Sequence, residues 1–430
     1  MYLNSTVWPL KQYAEALKNY KSLTNQFAPK FVPVKRKKIT LENVLVTDYA
    51  AGGKSLARID GKVIFIEGAV PGDTVDVFVS TNKKDWGEGR AIRFRSFAPN
   101  RVPAFCQHFG TCGGCKWQML PYHLQLAYKQ QEVEQHFRRI GKVDLPPILP
   151  IVGASQTTAY RNKLEFTFSN KKYLTDAEIK ELPPPDRSTT QPLPAAATAP
   201  VPNDGFVAGA GALGFHVPRI FDKIIEIEEC YLMDPVNNAI RNNIRQFARQ
   251  QGWSFYDIKA HTGWLRNIVI RYCSTGDLMV NIILGFEAAA ERKLLLDYLL
   301  ETVPQITTLL YTINPKWNDT IYDLEPQTYF GKGYAEEVLD GYRFKVGPKS
   351  FFQTNTAQAT ELYRITKEFA GLTGQEVVYD LYCGTGSIGI FVSDKARKII
   401  GVEVVEAAIA DAKENAALNG ITHAKFFAGD

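Results

Sequence analysis

A chain of 430 residues with 50 Lys and Arg against 45 Asp and Glu exceeds what one compact core accommodates and predicts several domains. Its apolar fraction of 45% is ordinary for a globular protein. No apolar run approaches the roughly 18 residues that cross a bilayer, and Met1 to Lys30 lack the apolar stretch of a secretory signal, so neither a membrane protein nor an exported one is expected.

Charge and cysteines are unevenly placed. Residues 1–144 carry 22 Lys and Arg against 12 Asp and Glu, and such a basic excess suits a polyanionic partner, although a solvated basic face gives the same count. Of six cysteines, Cys106, Cys112 and Cys115 fall close together, which favours metal binding in a reducing compartment over secreted disulfides. The cytoplasm is the expected location.

In chain order, residues 1–38 read as a basic leader ending in Lys35-Arg36-Lys37-Lys38. Over 39–97, short β-type runs at Val44–Asp48, Lys54–Ile59, Lys62–Ile66, Asp73–Ser80 and Gly89–Phe94 alternate with the turn dipeptides Gly52-Gly53, Asp60-Gly61 and Pro71-Gly72. Five strands in this length predict a small OB-like barrel, a fold that binds single-stranded nucleic acid through basic and aromatic side chains. Lys83, Lys84, Trp86, Arg90, Arg93 and Arg95 supply that mixture.

Residues 98–345 read as a mixed α+β domain. A helix is predicted over Leu120–Ile140 with Gly141 as its stop, and further helices at Val236–Gln250 and Ala288–Leu300. Strands are predicted at Lys163–Phe168, Ile224–Ile227, Asn267–Tyr272 and Leu278–Leu284. Residues 171–211, polar and then Pro- and Ala-rich, predict a flexible insert. From 346 the pattern becomes α/β: helix Ala357–Ala370, strand Val377–Leu381, helix Ser387–Ser393, strand Lys398–Val402, helix Val405–Asn419 and a strand from Ala424. Three strands form only the first half of a doubly wound sheet.

Two constellations carry chemistry. The first is Val377 to Gly389, an apolar strand running through Tyr382-Cys383-Gly384-Thr385-Gly386 into a helix beginning at Ser387, with Glu403 nineteen residues after Gly384 at the end of the next strand. Glycines let a ligand approach the backbone, helix N–H groups face it, and the second acid reaches ribose hydroxyls. A dinucleotide would fit that pattern too. Asp380, however, suits the amino group of a methionine moiety and repels a pyrophosphate, which points to S-adenosylmethionine. The second constellation is the C-x5-C-x2-C array of Cys106, Cys112 and Cys115, for which Cys230 is the candidate fourth ligand. Four thiolates hold either zinc or a four-iron cluster, and spacing does not decide between them. Cys273, within an apolar strand, reads as a core thiol.

These motifs together resemble the RNA uracil-5-methyltransferase family, in particular its bacterial 23S ribosomal RNA branch with an iron–sulfur cluster. Residues 52–73 are similar to the TRAM domain, an OB-like RNA-binding module. Cys106 through Cys115, followed by Trp117, Gln118 and Tyr122, is similar to the family's [4Fe-4S] motif, with Cys230 as the fourth ligand. Ser350-Phe351-Phe352-Gln353-Thr354-Asn355 resembles the segment that carries the family's first cofactor-binding residue. The resemblance implies a TRAM barrel, a cluster-bearing central domain and a Rossmann-like methyltransferase domain. It implies Gln353, Tyr382 and Glu403 on S-adenosylmethionine, with Ser387 and Asp430 in adjacent cofactor-lining positions. It implies an RNA partner, 23S ribosomal RNA, and no obligate protein partner.

The family's reaction adds a Cys thiolate to uracil C6, methylates C5 and removes the C5 proton with a Glu base. The segments that carry this Cys and Glu in the family do not occur up to Asp430, and Cys383 in the cofactor loop reads as a packing residue. No catalytic residue is therefore assigned within the chain, and the chain alone is expected to be inactive. Rival readings are an S-adenosylmethionine enzyme acting on another RNA position or on protein, and a non-catalytic RNA-binding fragment.

Overall fold

The computed structural model describes residues 39–181 and 211–429. The basic leader 1–38, Asp430 and residues 182–210 of the expected insert lie outside the described residues. The chain divides into two compact units. One runs to Asp48 and resumes over Lys54–Phe97; the other comprises Tyr49–Gly53 and everything from Ala98.

The first unit is built from short strands. β1 is Ile39–Leu45, β2 (Asp48–Ala50) is the stretch where the chain passes from one unit to the other, and β3 (Lys54–Ile59), β4 (Lys62–Glu67), β5 (Thr74–Asn82) and β6 (Trp86–Ser96) follow. The order β1-β5-β6-β4-β3 is antiparallel except where β4 runs parallel to β6. Asp60 and Gly61 link β3 to β4 with φ of 49° and 78°, the two positive values that a two-residue hairpin turn needs to match strand twist. Val75, Val77 and Val79 alternate inward to join Val44, Ile64 and Ile66 in one core. The first strand expected from sequence, Val44–Asp48, instead straddles the end of β1 and the start of β2.

The second unit opens with the loop that carries Cys106 to Cys115 and with α1 (Tyr122–Gln135), which widens into a π-helical turn over His136–Gly141. β7 (Lys163–Ser169), α2 (Asp176–Glu181), β8 (Ala212–Val217), β9 (Ile220–Glu226), α3 (Val236–Gln250), β10 (Leu265–Tyr272), β11 (Leu278–Leu284), α4 (Ala289–Thr302), β12 (Thr308–Ile313) and β13 (Gln327–Phe330) complete its central part. The strands form one sheet, β13-β12-β11-β10-β7-β8-β9. β11 and β12 pair in parallel, as a crossover through α4 requires. Every residue of β11 is buried; all but Asn281 are apolar, and Asn281 accepts from the Thr312 hydroxyl of β12 at 3.1 Å. Ile240 and Ile244 of α3 and Leu295, Leu296 and Leu299 of α4 pack with it in the largest core.

The start of the expected flexible insert is ordered. Glu178 accepts from the Thr175 N–H at 2.8 Å and donates its own N–H to the Thr175 hydroxyl at 3.3 Å. This reciprocal capping box nucleates α2, and the Thr-x-x-Glu spacing is visible in the sequence.

β14 (Ala335–Leu339) and β15 (Tyr342–Val346) form a hairpin, followed by α5 (Thr356–Ala370), β16 (Val377–Leu381), α6 (Ser387–Phe391), β17 (Lys398–Glu403), α7 (Glu406–Leu418) and β18 (Ala424–Ala428). The C-terminal α/β domain, expected from sequence as a first half, is present as a parallel sheet β16-β17-β18 with its own core of Tyr363, Phe391, Ile399, Ile409, Ala412 and Phe426. It is tied to the central sheet through Asn162. The amide of Asn162 donates to the Gln353 carbonyl and the Thr356 hydroxyl, both at 2.9 Å, while Thr356 donates to the buried Glu337 carboxylate at 2.8 Å. Among the described residues no helix is long and apolar enough to cross a membrane.

Candidate functional site

The glycine loop leaves β16 through Tyr382, a non-glycine residue at φ 61° whose side chain is 86% exposed. Such a conformation strains an L-residue and persists where neighbouring structure imposes it. The three glycines act differently. A Cβ on Gly386 would lie 2.9 Å from the Phe426 ring, and one on Gly389 would lie 2.9 Å from Ile399 and 3.1 Å from the Asp380 carboxylate, so both are demanded by packing. A Cβ on Gly384 would meet nothing within 4 Å. Here the backbone faces open space, the approach a ligand needs.

Glu403, at the end of β17, reaches this open side. Its carboxylate accepts from the Gly384 N–H at 3.2 Å and from the Val405 N–H at 3.0 Å, which fixes its direction and leaves further lone pairs. Asp380 also has a partner within the loop. It accepts from the Gly389 N–H at 2.9 Å, binding the end of β16 to α6, and burial pushes its carboxyl above the usual range. α6 has only five residues, so its dipole contributes less than a longer helix would.

Gln353 and Ser387 meet through a residue that the sequence did not single out. The Tyr363 hydroxyl lies 2.9 Å from Ser387 Oγ and also bonds the Gln353 side chain. Tyr363 is buried on the inner face of α5. Asn415 holds the loop from below, with its amide donating to the Thr385 carbonyl at 3.3 Å. Gln353, Ser387 and Tyr382 thus border one loop with Glu403, whereas Asp430 lies outside the described residues. Cys383 is buried. Burial and then the Asp380 and Glu403 carboxylates push its thiol up to about 12, the reverse of what a nucleophilic thiolate requires.

Cys106, Cys112, Cys115 and Cys230 line a single cavity of about 770 Å³. The Gly114 N–H points at Cys112 Sγ at 3.4 Å, and Gln118 bonds Cys115 and accepts from the Cys106 N–H at 3.1 Å. Cys230 is placed by Arg241, a fully buried arginine that donates to the Ile227 and Glu228 carbonyls at 2.8 and 2.9 Å and to the Asn237 and Asn238 side chains. Asn238 in turn accepts from the Cys230 N–H at 2.8 Å. Burial pushes the Cys112 thiol up to about 11 and raises those of Cys115 and Cys230 as well, so these three stay protonated unless something cationic takes their charge. Among the described residues, no three His, Cys, Asp or Glu side chains approach closely enough to hold one metal ion.

Residues 328–428 match the family model for tRNA (uracil-5-)-methyltransferases. An uncharacterized RNA methyltransferase of Bacteroides thetaiotaomicron is 48% identical over 384 residues, covering 89% of this chain and 80% of that protein. Another, from Porphyromonas gingivalis, is 46% identical over 387 residues, covering 90% and 79%. Among solved structures, the Pyrococcus abyssi tRNA (uracil-54, C5)-methyltransferase in complex with S-adenosyl-L-homocysteine superposes with a TM-score of 0.62 at 21% identity, over 90% of this chain and 79% of that one, a likeness of fold. The chain belongs to the RNA uracil-5-methyltransferase family.

Proposed function

We propose that the loop from Tyr382 to Gly389 binds S-adenosylmethionine and serves the methylation of C5 of a uridine in RNA, with 23S ribosomal RNA as the substrate. The observation that carries this reading is the Glu403 carboxylate, anchored on the Gly384 N–H at 3.2 Å beside a glycine backbone open to a ligand. When bound, the cofactor supplies an electrophilic methyl group. Glu403 orients its ribose, the exposed Tyr382 covers it, and the Gln353–Tyr363–Ser387 chain borders it. The P. abyssi relative is named as a complex with S-adenosyl-L-homocysteine, which supports the same site here.

Its name, like that of the matching family model, points to transfer RNA as a second substrate class. Nucleoside mass spectrometry of ribosomal and transfer RNA from a strain lacking the protein separates them. Loss of one 5-methyluridine from 23S RNA is expected; loss from transfer RNA supports the second substrate, and unchanged 5-methyluridine in both contradicts the reading.

The covalent route needs a thiolate that reaches uracil C6. Four cysteines line the cysteine cavity, and burial pushes both Cys273 and Cys383 up to about 12. None is placed as the nucleophile, and we expect no turnover from the 430 residues alone.

For the four cysteines that line one cavity we favour an iron–sulfur cluster, on the resemblance of the Cys106–Cys115 motif. Cys106, Cys112, Cys115 and Cys230 would hold the group, and four thiolates also allow zinc as the alternative. Burial pushes the Cys230 thiol up, and the Leu232 backbone and the Arg241 guanidinium offset part of that rise. Cys230→Ser is expected to strip iron from protein purified without oxygen; retention of full iron content argues against this ligand.

The first unit reads as a TRAM-type RNA-binding barrel. Lys83, Lys84 and Arg90 are exposed, and Trp86 is 40% exposed beside Phe65. Arg95 is committed to the buried Asp76, which accepts from it at 2.7 and 3.0 Å, and so drops out of the RNA face. Reversing both Lys83 and Lys84 to Glu should weaken RNA binding several-fold at low salt and less at high salt; an unchanged dissociation constant would remove this surface from the account.

A further inference from the structure

A further cavity, of about 370 Å³, opens on the face of the central sheet near β7 and β10, and Ser350, Phe351, Phe352 and Thr354 form another wall. In the antiparallel register of those strands Arg271 stands directly opposite Lys163. Opposed side chains share one face, and like charges so placed destabilise a sheet. Arg271 is 1% exposed, and its Nη2 donates to the Ser350 carbonyl at 3.1 Å, but its Nε and Nη1 have no hydrogen-bond partner. Leaving buried guanidinium donors unmatched is among the costlier arrangements a fold tolerates. Lys163 makes no ion pair among the described residues; burial and the facing Arg271 lower its ammonium pKa. Arg161 adds a third cation to the lining, and Glu165 is its one carboxylate.

Two opposed, partly desolvated cations with unused donors are arranged for an oxyanion. A guanidinium offers a planar fork that matches phosphate, and an ammonium offers a point charge beside it. The wall of Ser350, Phe351, Phe352 and Thr354 includes the neighbours of Gln353, so an anion held here sits next to the proposed cofactor network. We propose that Arg271 and Lys163 form a phosphate-holding pair that grips a backbone phosphate of the RNA beside the methyl-transfer site. This rests on the RNA reading given above. Occupancy resolves two features at once: the orphan donors of Arg271 find acceptors, and the repulsion across β7 and β10 is screened.

The test uses the purified chain, a short fluorescein-labelled oligouridylate and inorganic phosphate. Lys163→Gln is the primary variant, since its half-buried side chain is replaceable without emptying the core; Arg271→Gln is the harsher companion. Anisotropy titrations across potassium chloride concentrations should show Lys163→Gln binding the RNA roughly 3- to 10-fold more weakly, with the slope of log K against log salt reduced by about 0.7, the value of one single-strand phosphate contact. Its thermal midpoint should hold or rise, because one of two opposed cations is gone; a merely structural lysine would lower the midpoint and leave the salt slope intact. An unchanged affinity and slope in Lys163→Gln overturns the proposal. If wild-type protein fails to bind RNA yet is stabilised by phosphate, and Lys163→Gln is not, the anion site stands and the RNA reading fails. If wild-type protein responds to neither probe, the site itself is overturned.

Discussion

Gly386→Ala is expected to unsettle the C-terminal domain and to remove cofactor binding with it. Gly386 sits at φ 76°, a conformation that costs an L-residue roughly 1–2 kcal/mol. Its new Cβ would also lie 2.9 Å from the Phe426 ring and 3.1 Å from Ala412 Cβ. Phe426 is 4% exposed in β18, between Ile399 and the buried face of α7, so it cannot swing away freely, and such overpacking adds about 1–3 kcal/mol. Denaturant unfolding should therefore show a loss of roughly 2–5 kcal/mol. Gly384→Ala provides the contrast. Its φ is 54°, but its Cβ would meet nothing within 4 Å. Stability should fall by only about 1 kcal/mol while affinity for the cofactor falls further, because the added methyl enters the space reserved for the ligand. Equal effects of the two substitutions on stability would contradict this division of labour within the loop.

Glu403→Ala is the second large effect, and it should separate binding from folding. The carboxylate bonds two backbone N–H groups, of Gly384 and Val405, both near the surface where water replaces it cheaply, so stability should change by less than about 1 kcal/mol. Ribose hydroxyls lose charged acceptors worth about 1.5–3 kcal/mol, which corresponds to roughly 10- to 150-fold in affinity. Glu403→Gln keeps the shape and one acceptor oxygen and should fall between. Calorimetry on the three proteins gives the comparison directly; a Glu403→Ala protein that binds as tightly as wild type would take the residue out of the site.

Elements with one strong local signal were legible in the sequence. β3, β11, α3 and β16 end where their turn residues and periodicity place them, because each spaces its apolar residues for one element type and is bounded by glycine, proline or polar residues. β8, β12, β13, β14 and β15 were not anticipated. β12, Thr308–Ile313, owes its identity to parallel pairing with β11, a partner that only the crossover through α4 supplies. α2 was overlooked because composition outweighed the Thr175–Glu178 capping box.

The site divides the same way. Gly384, Gly386 and Glu403 lie within a single strand–loop–helix–strand unit, so their spacing carries the geometry. Tyr363 enters by bridging Gln353 and Ser387, and Asn162 joins segments 191 residues apart. Arg271 and Lys163 become a pair only through the register of β7 and β10. None of these has a local signature, since each depends on which strands become neighbours. Asp380 gains a structural role that spacing alone does not show. Its position was legible, but its carboxylate is engaged by the Gly389 N–H.

The most direct test of the central claim is a calorimetric titration of the folded 430-residue protein with S-adenosylhomocysteine, which needs neither RNA nor turnover. One site per chain is expected, with affinity lost in Gly386→Ala and weakened roughly 10- to 150-fold in Glu403→Ala. A wild-type protein that is folded by circular dichroism yet gives no binding heat, and no rise in melting temperature at saturating ligand, would contradict it.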